Sequence, residues 1–231
     1  MLRALIFDVD GTLAETEEAH RLAFNDTFAA FGLDWHWSRD LYRDLLKTTG
    51  GKERMCLYAQ RHLGIDPGSV PVADIHAAKT ARYGEMILAG AAPLRPGIAN
   101  LLADAADKGM RLAVATTTNL PNVEALMQGT LGLAASDVFE VIAAGDMVAA
   151  KKPAPDVYLL ALNGLGLPAA ECLAFEDSAN GLKSAQAAGL ACLVCPSWYT
   201  RADDFTGAAA IVDSYQAVAG MAALDAMFVS A

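Results

Sequence analysis

Short, wholly apolar runs recur along the chain. They alternate with stretches in which apolar residues return every three or four positions. The runs are Ala4–Phe7, Leu112–Ala115, Val141–Ala144, Cys172–Phe175, Leu190–Cys195 and Ala210–Val212. Runs this short, with no polar alternation, read as strands covered on both faces. The stretches between the later ones, among them Gly97–Lys108, Asp156–Gly164 and Gly181–Ala188, carry the period of amphipathic helices. Strands and helices in alternation predict right-handed βαβ units and a doubly wound parallel sheet.

One segment breaks the rhythm. From Glu15 to Ala92 no run reads as a buried strand, and four helices are predicted instead: Glu15–Phe31, Arg39–Leu46, Lys52–Leu63 and Val72–Leu88. In the first, Phe24, Phe28 and Phe31 fall on one stripe. The turn signals Gly90-Ala-Ala-Pro93 and Pro96-Gly97 mark the return to the sheet. The fold class is therefore α/β: a Rossmann-like core made of residues 1–14 and 93–231, with an all-helical cap, 15–92, inserted after the first strand. Two narrow junctions of this kind permit hinge motion.

Composition narrows the function classes. With 231 residues, 54% of them hydrophobic and 19% charged, the chain buries a full core and is not disordered. Lys and Arg number 17 against 27 Asp and Glu, a net charge of -10, which excludes a nucleic-acid partner that needs a positive field. No segment reads as a membrane span or an export signal, so a cytoplasmic location without membrane contact is expected. Cys192 and Cys195, three apart on a strand, point to opposite faces and make a poor metal or redox pair; reduced, buried thiols are expected.

Candidate chemistry gathers where strands end. Ile6-Phe-Asp8-Val-Asp10-Gly-Thr12 closes the first strand with two aspartates two apart, which repel unless a cation or proton intervenes. Thr116-Thr117-Thr118-Asn119 closes the second with hydroxyls ahead of a helix beginning near Pro121, a setting suited to phosphoryl oxygens. Lys152 precedes a proline-bracketed helix start, while its neighbour Lys151 is expected in solvent. Glu176-Asp177-Ser178 closes a later strand with adjacent acids, and an Asp here can join Asp8 around one magnesium ion. In a parallel sheet all these ends share one edge. Carboxylates, a divalent metal, hydroxyls and a lysine together are the equipment of phosphoryl transfer.

In order and spacing, Asp8-Val-Asp10-Gly-Thr, Thr116, Lys152-Pro and Glu176-Asp177 resemble the four motifs of the haloacid dehalogenase superfamily of phosphohydrolases, over essentially the whole chain. The inserted helices resemble that superfamily's small cap. The resemblance implies Asp8 as nucleophile through an aspartyl phosphate and Asp10 as general acid and then base. It implies Mg2+ on the Asp8 carboxylate, the Asp10 carbonyl and Asp177, with Glu176 assisting, and Thr116 and Lys152 on the phosphoryl oxygens. A phospho-acceptor receiver module shares an acid, Thr and Lys set but has neither the insertion nor a use for Asp10.

The cap carries its own polar signals. Glu17 and His20 extend the apolar stripe of the first helix with polar groups, the mark of a cleft rather than a core, and Thr16 lies one turn from His20. Gly50-Gly51 opens a helix whose first turn holds Lys52 and Arg54, cations that oppose the helix dipole unless an anion binds there. That predicts a second phosphate site and a doubly phosphorylated small metabolite. Thr49-Gly-Gly-Lys-Glu-Arg-Met55, Glu17, His20 and Pro196-Ser-Trp-Tyr-Thr200 resemble the CbbY-type sugar-bisphosphate phosphatases found with Calvin-cycle genes, which implies xylulose 1,5-bisphosphate as substrate. The same cap layout is similar to β-phosphoglucomutase, although Lys52 stands where an Arg is expected, and a phosphoglycolate-type monophosphatase is a third member of the set. A monomer is expected.

Overall fold

The computed structural model describes residues 1–48, 50–218 and 224. The chain divides into two compact units, Met1–Glu15 with Ala92–Ala231, and Thr16–Ala91.

The larger unit is built on a six-stranded sheet. Its strands are β1 (Ala4–Phe7), β2 (Arg111–Ala115), β3 (Val141–Ala143), β4 (Cys172–Glu176), β5 (Ala191–Val194) and β6 (Ala210–Ile211). Every pairing is parallel and the order is β3-β2-β1-β4-β5-β6. Such an order reverses direction between β1 and β4, and open α/β sheets bind ligands beyond the carboxyl ends of the strands at that reversal. Phe7 lies level with Val114 on one side and Phe175 on the other, so Asp8 emerges directly beside Glu176.

The faces of the sheet differ in bulk. Ala4, Ile6, Ala113, Ala115, Ala143, Cys172, Ala174, Cys192 and Val194 form the face that packs with Val157, Tyr158, Ala161, Leu182 and Ala185 in one buried cluster. On the other face Phe7 stacks on Phe175 with ring centroids 4.5 Å apart, flanked by Phe139 and Tyr215. Strand alternation decides which residues join which face. Asp8 and Glu176 continue the positions of Ala4, Ile6, Cys172 and Ala174, and so end on the small-residue face.

The helices of the smaller unit are α1 (Glu17–Ala30), α2 (Arg39–Leu45), α3 (Gly51–Tyr58) and α4 (Val72–Leu88). Those of the larger are α5 (Ile98–Asp107), α6 (Leu120–Leu131), α7 (Ala135–Val138), α8 (Asp156–Leu165) and α9 (Ala179–Ala187). Among the described residues no helix is long and apolar enough to cross a membrane. All four cysteines are free, three of them buried.

Four local expectations are corrected. The first helix begins at Glu17 and stops at Ala30, so Phe31 leaves the stripe of Phe24 and Phe28 and is 40% exposed. The helix expected over Lys52–Leu63 is α3 followed by a wider π-type turn, Ala59–Leu63, that ends on left-handed Gly64. The last strand is an edge, and Ile211 is 58% exposed rather than covered on both faces. The run Leu190–Cys195 contributes only Ala191–Val194 to the ladder.

Candidate active site

At the carboxyl edge, three elements deliver one buried cluster. Asp8 follows β1, its backbone N–H donating to Phe175 O at 3.0 Å. Glu176 ends β4, and Lys152 comes from the loop before α8. The Lys152 ammonium donates to Asp8 Oδ1 and to Glu176 Oε1, each at 2.6 Å. All three side chains are buried. Burial pushes the Asp8 carboxyl up to about 7; Lys152 pulls the other way, and Glu176 adds to the rise. Burial works against the Lys152 charge too, but Asp8 and Glu176 outweigh it and hold the ammonium above the ordinary lysine range. Asp10 is half-buried, and its charge also raises Asp8. Lys151, by contrast, is exposed.

Asp8, Glu176 and Asp177 each offer a carboxylate oxygen, all within 4.8 Å of one another. Three buried carboxylates around one ammonium leave excess negative charge, and Glu176 Oε2 is buried with no hydrogen-bond partner among the described residues. A hard divalent cation that prefers oxygen ligands fits this donor set. Two glycines make room for the acids. Gly11, at φ 84°, has no Cβ where one would fall on the Asp177 carboxylate, and a Cβ on Gly181 would fall on that of Glu176.

Thr116 is fully buried beyond β2, its Oγ1 accepting the Thr118 N–H at 3.2 Å. Asn119 is the N-cap of α6, accepting from the Asn122 N–H at 3.1 Å, and Thr118 Oγ1 accepts from Asn122 Nδ2 at 3.0 Å. Thr117 is half-buried and its backbone crowds Gly145. The run thus supplies helix capping at its far end and a buried hydroxyl at its near end.

Three further residues of this unit escaped the sequence reading or entered it only by resemblance. Tyr158 on α8 donates its hydroxyl to Glu176 Oε1 at 2.6 Å. Thr200 Oγ1 donates to Asp177 O at 2.6 Å, lies 3.1 Å from Asp177 Oδ2, and accepts from the Ser197 N–H. Arg95, also buried, donates to the carbonyls of Gly11, Cys195 and Pro196 and pairs with Glu15 at 3.3 Å. A tyrosine on the apolar stripe of a helix is the one advance signal here, because a buried phenol needs a partner.

In the helical unit, Thr16 is buried and its carbonyl accepts the His20 N–H, one turn on. The His20 ring stacks on Tyr83, centroids 3.8 Å apart, with Nδ1 2.5 Å from Lys79 Nζ. Lys79 is itself buried, its charge 4.8 Å over Phe24 and 4.9 Å over Tyr83. It occupies the second place of a buried Ile75, Lys79, Tyr83, Ile87 stripe. A lysine on such a stripe was a legible signal that the sequence reading passed over.

Glu17 and Arg54 are joined through Tyr42. The Tyr42 hydroxyl donates to Glu17 Oε2 at 2.8 Å and accepts from Arg54 Nη1 at 3.1 Å. Lys52 is exposed and takes no part in this chain of bonds. Gly50 holds φ 97°, where a Cβ would meet the Glu53 carboxylate, and a Cβ on Gly51 would crowd His76 and Phe24. An acid, Glu53, therefore occupies the first turn of α3 alongside the two cations. Thr49 lies outside the described residues.

Residues 2–189 match the haloacid dehalogenase-like hydrolase family. Protein CbbY of Rhodobacter capsulatus is 62% identical over 207 residues, 90% of this chain and 91% of its own. Protein CbbY of Cereibacter sphaeroides is 56% identical over 225 residues, 97% of each chain. The crystal structure of a CbbY mutant from Rhodobacter sphaeroides in complex with xylulose-(1,5)bisphosphate superposes with a TM-score of 0.91, covering 97% of this chain and 99% of the other at 56% identity. A family match over most of its length, with relatives this near, shows that the chain belongs to the haloacid dehalogenase-like hydrolases and is a phosphatase enzyme.

Proposed function

We propose that this enzyme is a magnesium-dependent sugar-bisphosphate phosphatase whose substrate is xylulose 1,5-bisphosphate. The observation that carries the chemistry is the buried contact of Lys152 with both Asp8 and Glu176, beside Asp177. The choice of sugar rests on the relatedness to CbbY.

In this reading an Asp8 carboxylate oxygen attacks phosphorus, forming the aspartyl phosphate as the bond to the sugar oxygen breaks. Asp10 gives its proton to that leaving oxygen. Asp10 then takes a proton from water, which attacks the same phosphorus, frees Asp8 and releases inorganic phosphate. Lys152 and Thr116 hold phosphoryl oxygens, so an anionic nucleophile can approach an anionic group. Thr117, Thr118 and Asn119 support Thr116 from the turn into α6. Asp8, Asp177 and the Asp10 carbonyl, with Glu176 beside them, would hold Mg2+, which supplies positive charge opposite the developing negative charge. To the helical unit we assign recognition of the rest of the sugar bisphosphate, through Thr16, Glu17, His20, Gly50, Gly51, Lys52 and Arg54.

The test is phosphate release across a panel of ketose and aldose bisphosphates and monophosphates, with Mg2+ or with chelator. Xylulose 1,5-bisphosphate should be hydrolysed best, and only with metal; Asp8→Asn should abolish turnover. Preference for a monophosphate, or turnover by Asp8→Asn, overturns the reading. Incubating glucose 1-phosphate with a bisphosphate primer should yield free phosphate and no isomer.

A further inference from the structure

We infer that Tyr158 is a positioning residue for the metal-binding acids, acting through Glu176. The inference rests on the proposed Mg2+ site and names a residue outside its ligands.

Tyr158 is fully buried on α8, six residues after Lys152. It touches the cluster in two ways. Its hydroxyl donates to Glu176 Oε1 at 2.6 Å, the same oxygen that accepts from Lys152. Its ring lies 5.0 Å below the Lys152 ammonium, presenting the negative face of the aromatic system to the charge. Glu176 Oε1 thus carries two short charge-assisted bonds while Oε2 carries none among the described residues. On the far side, Gly181 leaves space for the carboxylate that any side chain would fill. The carboxylate is fixed by one oxygen and left with the other to serve a cation or its water.

The phenol could be dispensed with if it only filled the core, because a phenylalanine has the same ring and nearly the same volume. Tyr158 belongs to a buried cluster whose other members, among them Ile6, Ala113, Ala161 and Ala174, are apolar. A polar atom placed among them is unfavourable unless it bonds, and its bond goes to the acid. Outer partners of this kind set the orientation of metal ligands, and their loss commonly weakens metal affinity by ten- to a hundredfold.

The experiment is isothermal titration of Mg2+ into the metal-free full chain, for wild type, Tyr158→Phe, Glu176→Gln and the double variant. Steady-state hydrolysis of p-nitrophenyl phosphate and thermal melts accompany it. Tyr158→Phe should weaken Mg2+ binding by about tenfold and lower kcat by a similar factor with KM little changed. The double variant should bind Mg2+ no more weakly than Glu176→Gln alone, since the hydroxyl acts through that acid. Unchanged Mg2+ affinity in Tyr158→Phe, or losses that multiply in the double variant, overturn the role. A wild type that binds no Mg2+ overturns the proposed metal site as well. A wild type that binds it while Tyr158→Phe binds equally overturns the positioning role alone.

Discussion

Lys152 brings its ammonium to 2.6 Å from Asp8 across 144 positions of sequence. The same ammonium reaches Glu176, so one cation ties the end of the central strand to the end of its neighbour. Removing it leaves two buried carboxylates face to face. Lys152→Met should destabilise the metal-free protein by about 3–5 kcal/mol. Denaturant titrations should show that loss, and saturating Mg2+ should recover part of it.

At the proposed Mg2+ site, metal and proton would compete for Asp8. Burial, opposed by Lys152 and reinforced by Glu176, raises its pKa from 3.8 to about 7. A carboxyl raised on folding contributes stability that is fully present below its unfolded pKa and is lost as pH rises through the folded one. Without metal, melting temperature should therefore fall between about pH 4 and pH 7 on account of this group. The stabilisation by Mg2+ should grow across the same window. Melts at a series of pH values, with Mg2+ and with chelator, check both slopes.

Two glycines separate local strain from site chemistry. Gly11 and Gly32 both have positive φ, but a Cβ at Gly11 would meet Asp177 while one at Gly32 meets nothing within 4 Å. Gly32→Ala should cost roughly 1 kcal/mol and leave kcat unchanged. Gly11→Ala should bear that strain and also lose most activity and Mg2+ affinity.

Thr200→Val removes the hydroxyl that donates to the Asp177 carbonyl and lies 3.1 Å from its carboxylate. The Mg2+ concentration needed for half-maximal activity should rise about tenfold. KM for substrate at saturating Mg2+ should stay within a factor of two or so.

Tyr42→Phe cuts the bridge between Glu17 and Arg54. If those two residues recognise the distal part of a bisphosphate, KM for the bisphosphate should rise by roughly tenfold, the worth of one charge-assisted bond. Hydrolysis of p-nitrophenyl phosphate should not change.

Much of the core was legible because it depends on short-range rules. Alternation along Ala4–Phe7 and Cys172–Glu176 sets which residues face which way, and parallel pairing then brings Asp8 and Glu176 together. The cap was less legible. Arg54 could be singled out as a cation in a first helical turn, but not that Tyr42, twelve residues earlier, would take one of its bonds. Such links depend on how separate helices pack, which no local period encodes. Tyr158 is a similar case: its place on α8 could be read, its partner on β4 could not. Phe31 shows the limit of the period itself, since the stripe continues only as far as the helix does.

The thin face of the sheet has a consequence for variation at a distance. Alanines at 113, 115 and 143 lie on β2 and β3, the strands that α8 packs against, and α8 carries Tyr158. Adding methyl groups there, as in Ala113→Val, would wedge the helix outward and drag the phenol off its acid. Residues with no polar atom in their side chains thus act as spacers, and their girth gauges how well the acidic edge of the sheet is assembled.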